Sequence, residues 1–280
     1  MEITKARILE LLKQLKLNRI AEILDQEIEE GLRENRDILD VIGRLLGHQV
    51  RLNEEHRIQR RVKEARLPDV KTLDSFNWAF QPSLDRARVM QLARLDFIGR
   101  RDNVLLAGDS GTGKSHIAKA LAFLACGAGI RVRFTSCEAL FRDLFAALCD
   151  HTLPQRLKAY TLPDLLLIDD LGFEELEIKE AGNANLLLKV INARYEKRST
   201  IITSNIKLDA WGKYLGDPVK AMAILDRFVH HAALFNITGP SYRDHESRQM
   251  ELNQPSPATD DHSPSGEKKR RSSSKAPPAQ

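Results

Sequence analysis

Nine consecutive residues hold the densest chemistry in the chain. Gly108, Asp109, Ser110, Gly111, Thr112, Gly113, Lys114 and Ser115 fit the pattern G-x-x-x-x-G-K-[ST], and His116 opens the helix that follows. Glycines let successive backbone N–H groups turn toward phosphate oxygens with no Cβ in the way, while the helix behind them points its positive end at the same anion. Lys114 brings a mobile charge to β- and γ-phosphates, and Ser115 brings a hydroxyl to Mg²⁺. This chemistry needs a second, acidic half. The run Asp164-Leu165-Leu166-Leu167-Ile168-Asp169-Asp170 supplies it, with two carboxylates at the C-terminal end of a buried strand. Asp169 is expected to hold Mg²⁺, and Asp170 to orient or deprotonate an attacking water. Asn205, at the tip of the run Thr203-Ser204-Asn205, can position that water without adding charge. Arg227 and Arg243 are the candidate cations for transition-state charge, a task that suits a fixed guanidinium.

These groups need a scaffold. Short apolar runs at Val104–Ala107, Arg131–Thr135, Leu165–Ile168, Thr200–Thr203 and Leu234–Ile237 are separated by helix-length segments. Strands alternating with helices predict an α/β core with a parallel five-stranded sheet. Residues 1–67 instead show helical spacing throughout, as in Ile8, Leu12 and Leu15 and in Ile38, Ile42, Leu45 and Leu46, with a break near Gly31 to Asp37 and Asp37 as an N-cap. Pro68 ends that unit, and a further helix is expected from Pro82 to Leu95, capped by Ser83 or Asp85. The expected organisation is a small all-α N-terminal domain (1–67), a core (68–252) and a basic, disordered tail (253–280) that holds five of the eleven prolines.

Composition narrows the functional classes. With 280 residues, 42% of them hydrophobic and 29% charged, the chain is ordinary globular material with no membrane-spanning run and no signal-peptide block. Cys126, Cys137 and Cys149 lack paired spacing, which fits a reducing cytoplasm rather than a disulfide framework or a zinc site. His230, His231 and His245 likewise lack metal spacing and read as surface residues. The net charge of +4 is concentrated at residues 51–66, with six basic and three acidic side chains, and in the tail.

Longer strings carry a family resemblance. LLLIDDLG, IITSN, the stretch Trp211-Gly212 through Gly216-Asp217-Pro218 to Ala223-Ile224-Leu225-Asp226-Arg227-Phe228, and Gly239-Pro240-Ser241-Tyr242-Arg243 resemble the IstB-like ATP-binding proteins. These are AAA+ helpers of insertion-sequence transposition, related to the DnaC helicase loaders. The likeness covers roughly residues 5–250. It implies a P-loop NTPase of AAA+ type that binds ATP with Mg²⁺ and assembles head-to-tail into a ring or helical filament. It further implies that Arg227 acts as a finger toward the neighbouring subunit, Arg243 as second sensor on its own nucleotide, and Asn205 as first sensor. The N-terminal helices would meet a transposase or other subunits, and the assembled core would bind duplex DNA. One departure stands out: the generic AAA+ pattern ends Asp-Glu, whereas this chain has Asp169-Asp170, one methylene shorter, so slow hydrolysis is expected. Phosphate-facing cations for duplex DNA are Arg57, Arg60, Arg61 and Lys63 before the core, and Arg142, Arg156 and Lys158 between the second and third strands; a merely solvated face is the alternative for either group. A DnaC-like helicase loader and a nucleotide-gated scaffold with little hydrolysis are the competing functions.

Overall fold

A computed structural model describes residues 4–173 and 182–244, so the expected tail lies outside the described residues. Three helices come first: α1 (Lys5–Gln14), α2 (Asn18–Arg33) and α3 (Ile38–Ala65). Asp37 caps α3 by accepting from the Ile38 N–H at 2.7 Å. The start of α2 has no side-chain cap of its own; Gln49 of α3 takes that role, its Oε1 accepting from the N–H groups of Arg19 and Ile20 at 3.0 and 3.4 Å. Ile20, Ile23, Leu24 and Leu45 form a small core there. Leu39, Ile42, Leu46 and Val50 form an apolar stripe along α3 that remains exposed.

The helix α3 does not stop at the edge of this unit. Its last turn is built into the core: Ala65 is buried among residues of the sheet layer, and Arg61 donates to the Cys126 carbonyl at 3.4 Å. Next come α4 (Arg86–Leu92) and α5 (Asp96–Arg100). The helix expected over Pro82 to Leu95 is thus shorter. It is capped by Asp85, which accepts from the Arg88 N–H at 3.1 Å, and is interrupted where Leu95 turns left-handed at φ 64°.

The core then alternates. It runs β1 (Asn103–Gly108), α6 (Lys114–Gly127), β2 (Val132–Ser136), α7 (Cys137–Cys149), α8 (Leu153–Thr161), β3 (Leu165–Leu171), α9 (Gly182–Arg194), β4 (Ser199–Ser204), α10 (Trp211–Tyr214), α11 (Pro218–Val229) and β5 (Ala232–Ile237). The five strands are all parallel in the order β2-β3-β4-β1-β5. One apolar layer packs α6 with the end of α3 and with α4 and α5, and the other packs α7, α8, α9, α10 and α11. Burial on both faces explains why the strands read as apolar runs rather than as alternating patterns.

Candidate nucleotide site

The loop between β1 and α6 is shaped by close approaches. Gly111 (φ 79°) lies against Ser241, and a Cβ on Gly113 (φ 92°) would stand 2.5 Å from the Phe76 ring, so neither position tolerates a side chain. Lys114 is buried, its Nζ donating to the Asp109 carbonyl at 2.7 Å, while the Thr112 hydroxyl donates to the same oxygen at 2.8 Å. Burial lowers the Lys114 pKa, and the charges of Asp170, Asp109 and Asp169 pull it back up.

The sequence suggests a strand ending at Ile168 with two carboxylates beyond it. Instead β3 continues to Leu171 through a bulge: Ile168 pairs with Ile202 and Leu171 with Ser204, leaving one residue extra on β3. Asp170 takes up that residue at φ 61°, a left-handed conformation unusual for a side chain that is not glycine. Thr203 of β4 holds the bulge. Its hydroxyl donates to Asp169 Oδ1 at 2.5 Å and accepts from the Asp170 N–H at 2.8 Å. Burial, then the Asp169 charge, pushes the Asp170 carboxyl above the usual range, opposed by Asn205, Lys119 and Arg243. The Asn205 amide faces the Asp170 carboxyl, but its buried Nδ2 meets hydrogen-bond geometry with no described residue, so it can turn to an incoming oxygen.

A cleft of about 530 Å³ collects these groups, a size suited to a nucleotide. Ser110 to His116, Lys119, Asp170, Asn205 and Arg243 line it; Asp169 is buried and does not reach the lining. The far wall is the connector that follows α3. Asp69 accepts from Lys119 Nζ at 2.8 Å, and that lysine also lies 4.0 Å from Asp169. His116 Nε2 donates to the Thr72 carbonyl at 2.9 Å, and Gln81 Nε2 donates to the Pro240 carbonyl at 2.9 Å. Phe76 meets His116 edge-on, and Phe80 meets Tyr242, with centroids 5.2 and 5.1 Å apart. No motif in the sequence points to this aromatic wall, although Phe76, Trp78 and Phe80 crowd into five positions of a chain only 6% aromatic. From the other side the Tyr242 N–H donates to the Gly111 carbonyl at 2.9 Å.

The donor set fits a triphosphate with Mg²⁺: a hydroxyl at Ser115, carboxylates at Asp169 and Asp170, the desolvated Lys114 and the orphaned Asn205 amide. Arg227 is elsewhere. It lies in the last turn of α11, where Asn103 Nδ2 donates to the Phe228 carbonyl at 3.0 Å, so it sits near the start of β1, while the phosphate loop follows the end. Its guanidinium folds onto its own helix, donating to the Ala223 carbonyl at 2.9 Å. The six residues of β1 separate it from the loop, about 17 Å at ~3.3 Å per residue.

Of the remaining basic residues, Arg57, Arg60 and Lys63 are exposed on α3, and Arg61 is half-buried by its contact with Cys126. Arg60 pairs with Glu64 at 3.6 Å, Arg142 with Glu138 at 3.0 Å and Arg156 with Asp143 at 3.4 Å; Lys158 is exposed. The helices that carry the two groups lie on opposite faces of the sheet; α3 and α7 both touch the edge strand β2, and α8 packs on α7.

The fold and the site define a P-loop NTPase core of the AAA+ type that binds ATP. The model of the IstB-like ATP binding protein family matches residues 10–250, and the chain belongs to that family. A protein of insertion sequence IS21 from Pseudomonas aeruginosa, named for ATP binding, is 36% identical over 239 residues, spanning 85% of this chain and 89% of that one. The corresponding protein of IS5376 from Geobacillus stearothermophilus is 35% identical over 250 residues, 89% and 98% of the two chains. Among solved structures, DnaI superposes with a TM-score of 0.50 at 23% identity, over 60% of this chain and 91% of that one. A DNA replication initiation factor gives 0.51 at 21% identity, over 68% and 57%. These two likenesses establish the fold alone. No helix among the described residues is long and apolar enough to cross a membrane.

Proposed function

We propose that this protein is a slow, Mg²⁺-dependent ATP hydrolase that assembles on duplex DNA in the ATP-bound state, as a ring or helical filament, and there assists a partner transposase in the cytoplasm. The observation that carries this reading is the split of the catalytic set. Lys114, Ser115, Asp170, Asn205 and Arg243 share one cleft, whereas Arg227 stands at the opposite sheet edge, where a second copy of the chain can use it. Relatives encoded by insertion sequences favour the transposition role over helicase loading.

In this mechanism Lys114 neutralises the β- and γ-phosphate oxygens; Ser115 and Asp169 are the residues that would hold Mg²⁺, which would supply positive charge against the charge developing on the phosphate. Asn205 Nδ2 and Asp170 align the attacking water, and Asp170 accepts its proton. Arg227 from the neighbouring protomer and Arg243 from the same chain stabilise the transferring group. The short Asp170 on its strained, left-handed backbone makes turnover slow, so ATP acts chiefly as an assembly switch. The cations flanking the β2 edge meet DNA phosphates; their present ion pairs are solvent-exposed and contribute little, so exchange for phosphate is cheap. The apolar stripe of α3 supports a protein-contacting role for the N-terminal helices.

Electron microscopy with duplex DNA tests this. Oligomers on DNA are expected with a non-hydrolysable triphosphate and not with ADP; equal assembly in both would overturn the switch. Steady-state turnover of many per second on DNA alone would refute slow hydrolysis, and unchanged turnover in Lys114→Ala would remove the site.

A further inference from the structure

The sheet edge opposite the nucleotide cleft carries a second cluster of ligating side chains, which phosphoryl transfer does not use. His230 and His231 join α11 to β5, and their spacing in the sequence offers no third ligand. The fold supplies one. Glu196, in the turn between α9 and β4, comes close enough that one ligand atom from each of Glu196, His230 and His231 lies within 4.8 Å of the others. We propose that these three residues form a binding site for a transition-metal dication of the Zn²⁺ class, separate from the Mg²⁺ position at Ser115 and Asp169.

The donor chemistry selects the ion. Two imidazoles and one carboxylate suit Zn²⁺ and its late first-row neighbours, whereas Mg²⁺ and Ca²⁺ take oxygen sets. The carriers are fixed at the backbone. The His231 carbonyl accepts from the Asn103 N–H at 2.6 Å, tying it to the first residue of β1, and the His230 N–H donates to the Asp226 carbonyl at 3.3 Å. The Glu196 carbonyl accepts from Arg101 at 3.0 Å, and Glu196 itself is left-handed at φ 55°, which sets the direction of its side chain.

Only side-chain rotations remain between the present spacing and a bound one. The shortest His231–Glu196 separation is already 3.8 Å, against about 3.3 Å between ligand atoms in a tetrahedron with ~2.0–2.1 Å bonds. Tyr195 places its hydroxyl 3.4 Å from His230 Nδ1, a partner that orients the ring and leaves Nε2 to bind metal. All three ligands are exposed, so water completes the coordination. The proposal stands independently of the ATPase reading, because none of its residues lines the nucleotide cleft.

Calorimetric titration of Zn²⁺ into the untagged, nucleotide-free full chain tests it, with excess Mg²⁺ present throughout. We expect binding of one Zn²⁺ per chain at micromolar concentration, weakened more than about tenfold in both His231→Ala and Glu196→Gln. Co²⁺ in place of Zn²⁺ should give a visible d–d absorption band in the parent that both variants lose. Both replaced side chains are exposed and make no core contact, so thermal melts without metal should coincide with the parent. Zn²⁺ affinity unchanged in both variants, or no binding at micromolar Zn²⁺, would overturn the site.

Discussion

Asp170 combines three properties rarely found in one aspartate: a left-handed backbone, partial burial and a carboxylate neighbour that raises its pKa. Protonation removes its ability to accept a proton, so ATP turnover should fall with decreasing pH at a midpoint above the ordinary value of 3.8. A pH–rate profile checks this; an acid limb at or below the ordinary value would contradict it. The same shift has a stability sign. A carboxyl whose pKa is raised on folding stabilises the fold below its unfolded pKa and loses that contribution as pH rises through the folded value. At neutral pH the ionised group is therefore a liability. Asp170→Asn should raise the melting midpoint while lowering turnover by at least roughly a hundredfold, a pairing that simple structural damage would not produce.

Arg194, at the end of α9, shows how a single side chain ties elements together. It is almost wholly buried, and no carboxylate among the described residues is bonded to it. Its guanidinium donates to the carbonyls of Tyr160 and Pro163 at 2.9 and 2.8 Å, to those of Asp164 and Ser199, and to the Thr200 hydroxyl at 2.9 Å. The turns before β3 and β4 thus share one donor. Arg194→Met leaves several buried acceptors unpaired and should destabilise the protein by on the order of 3 kcal/mol, read as a lower midpoint in urea. Nothing in the sequence marks this arginine apart from the exposed ones, because its partners are backbone carbonyls of no particular residue type. The strands were legible: continuous apolar runs at Val104–Ala107 and Thr200–Thr203 lie inside β1 and β4. Their order was not, since parallel neighbours are chosen by crossovers that leave no local trace. The β3 bulge was equally hidden, because it depends on the Thr203 hydroxyl reaching across from another strand.

For the whole molecule, the separation of Arg227 from the phosphate loop leads to a mixing experiment. Lys114→Ala and Arg227→Ala should each be inactive alone, yet their mixture should regain measurable turnover, because some junctions pair an intact Lys114 with an intact Arg227. No recovery would argue against use of Arg227 across protomers. The three cysteines offer a simpler check on packing: burial pushes Cys126 up to about 11 and Cys137 up to about 12, while Cys149 is exposed. Iodoacetamide at neutral pH should therefore modify Cys149 alone in the native protein, as peptide mapping would show. Phosphate loop, paired carboxylates and Asn205 were visible in the sequence because their spacing is local; the wall from Asp69 to Gln81 was not, because it meets the loop only through tertiary contact. That wall has a mechanical consequence. The span leaving the N-terminal helices is riveted to the ATP cleft at Lys119, His116 and Pro240, so a ligand settling there leans on the tether of α3 itself. Filling the cleft is thereby felt as leverage on the helical unit, and Lys119→Met, which cuts one rivet, should make protease cleavage around residues 66–72 much less sensitive to added nucleotide.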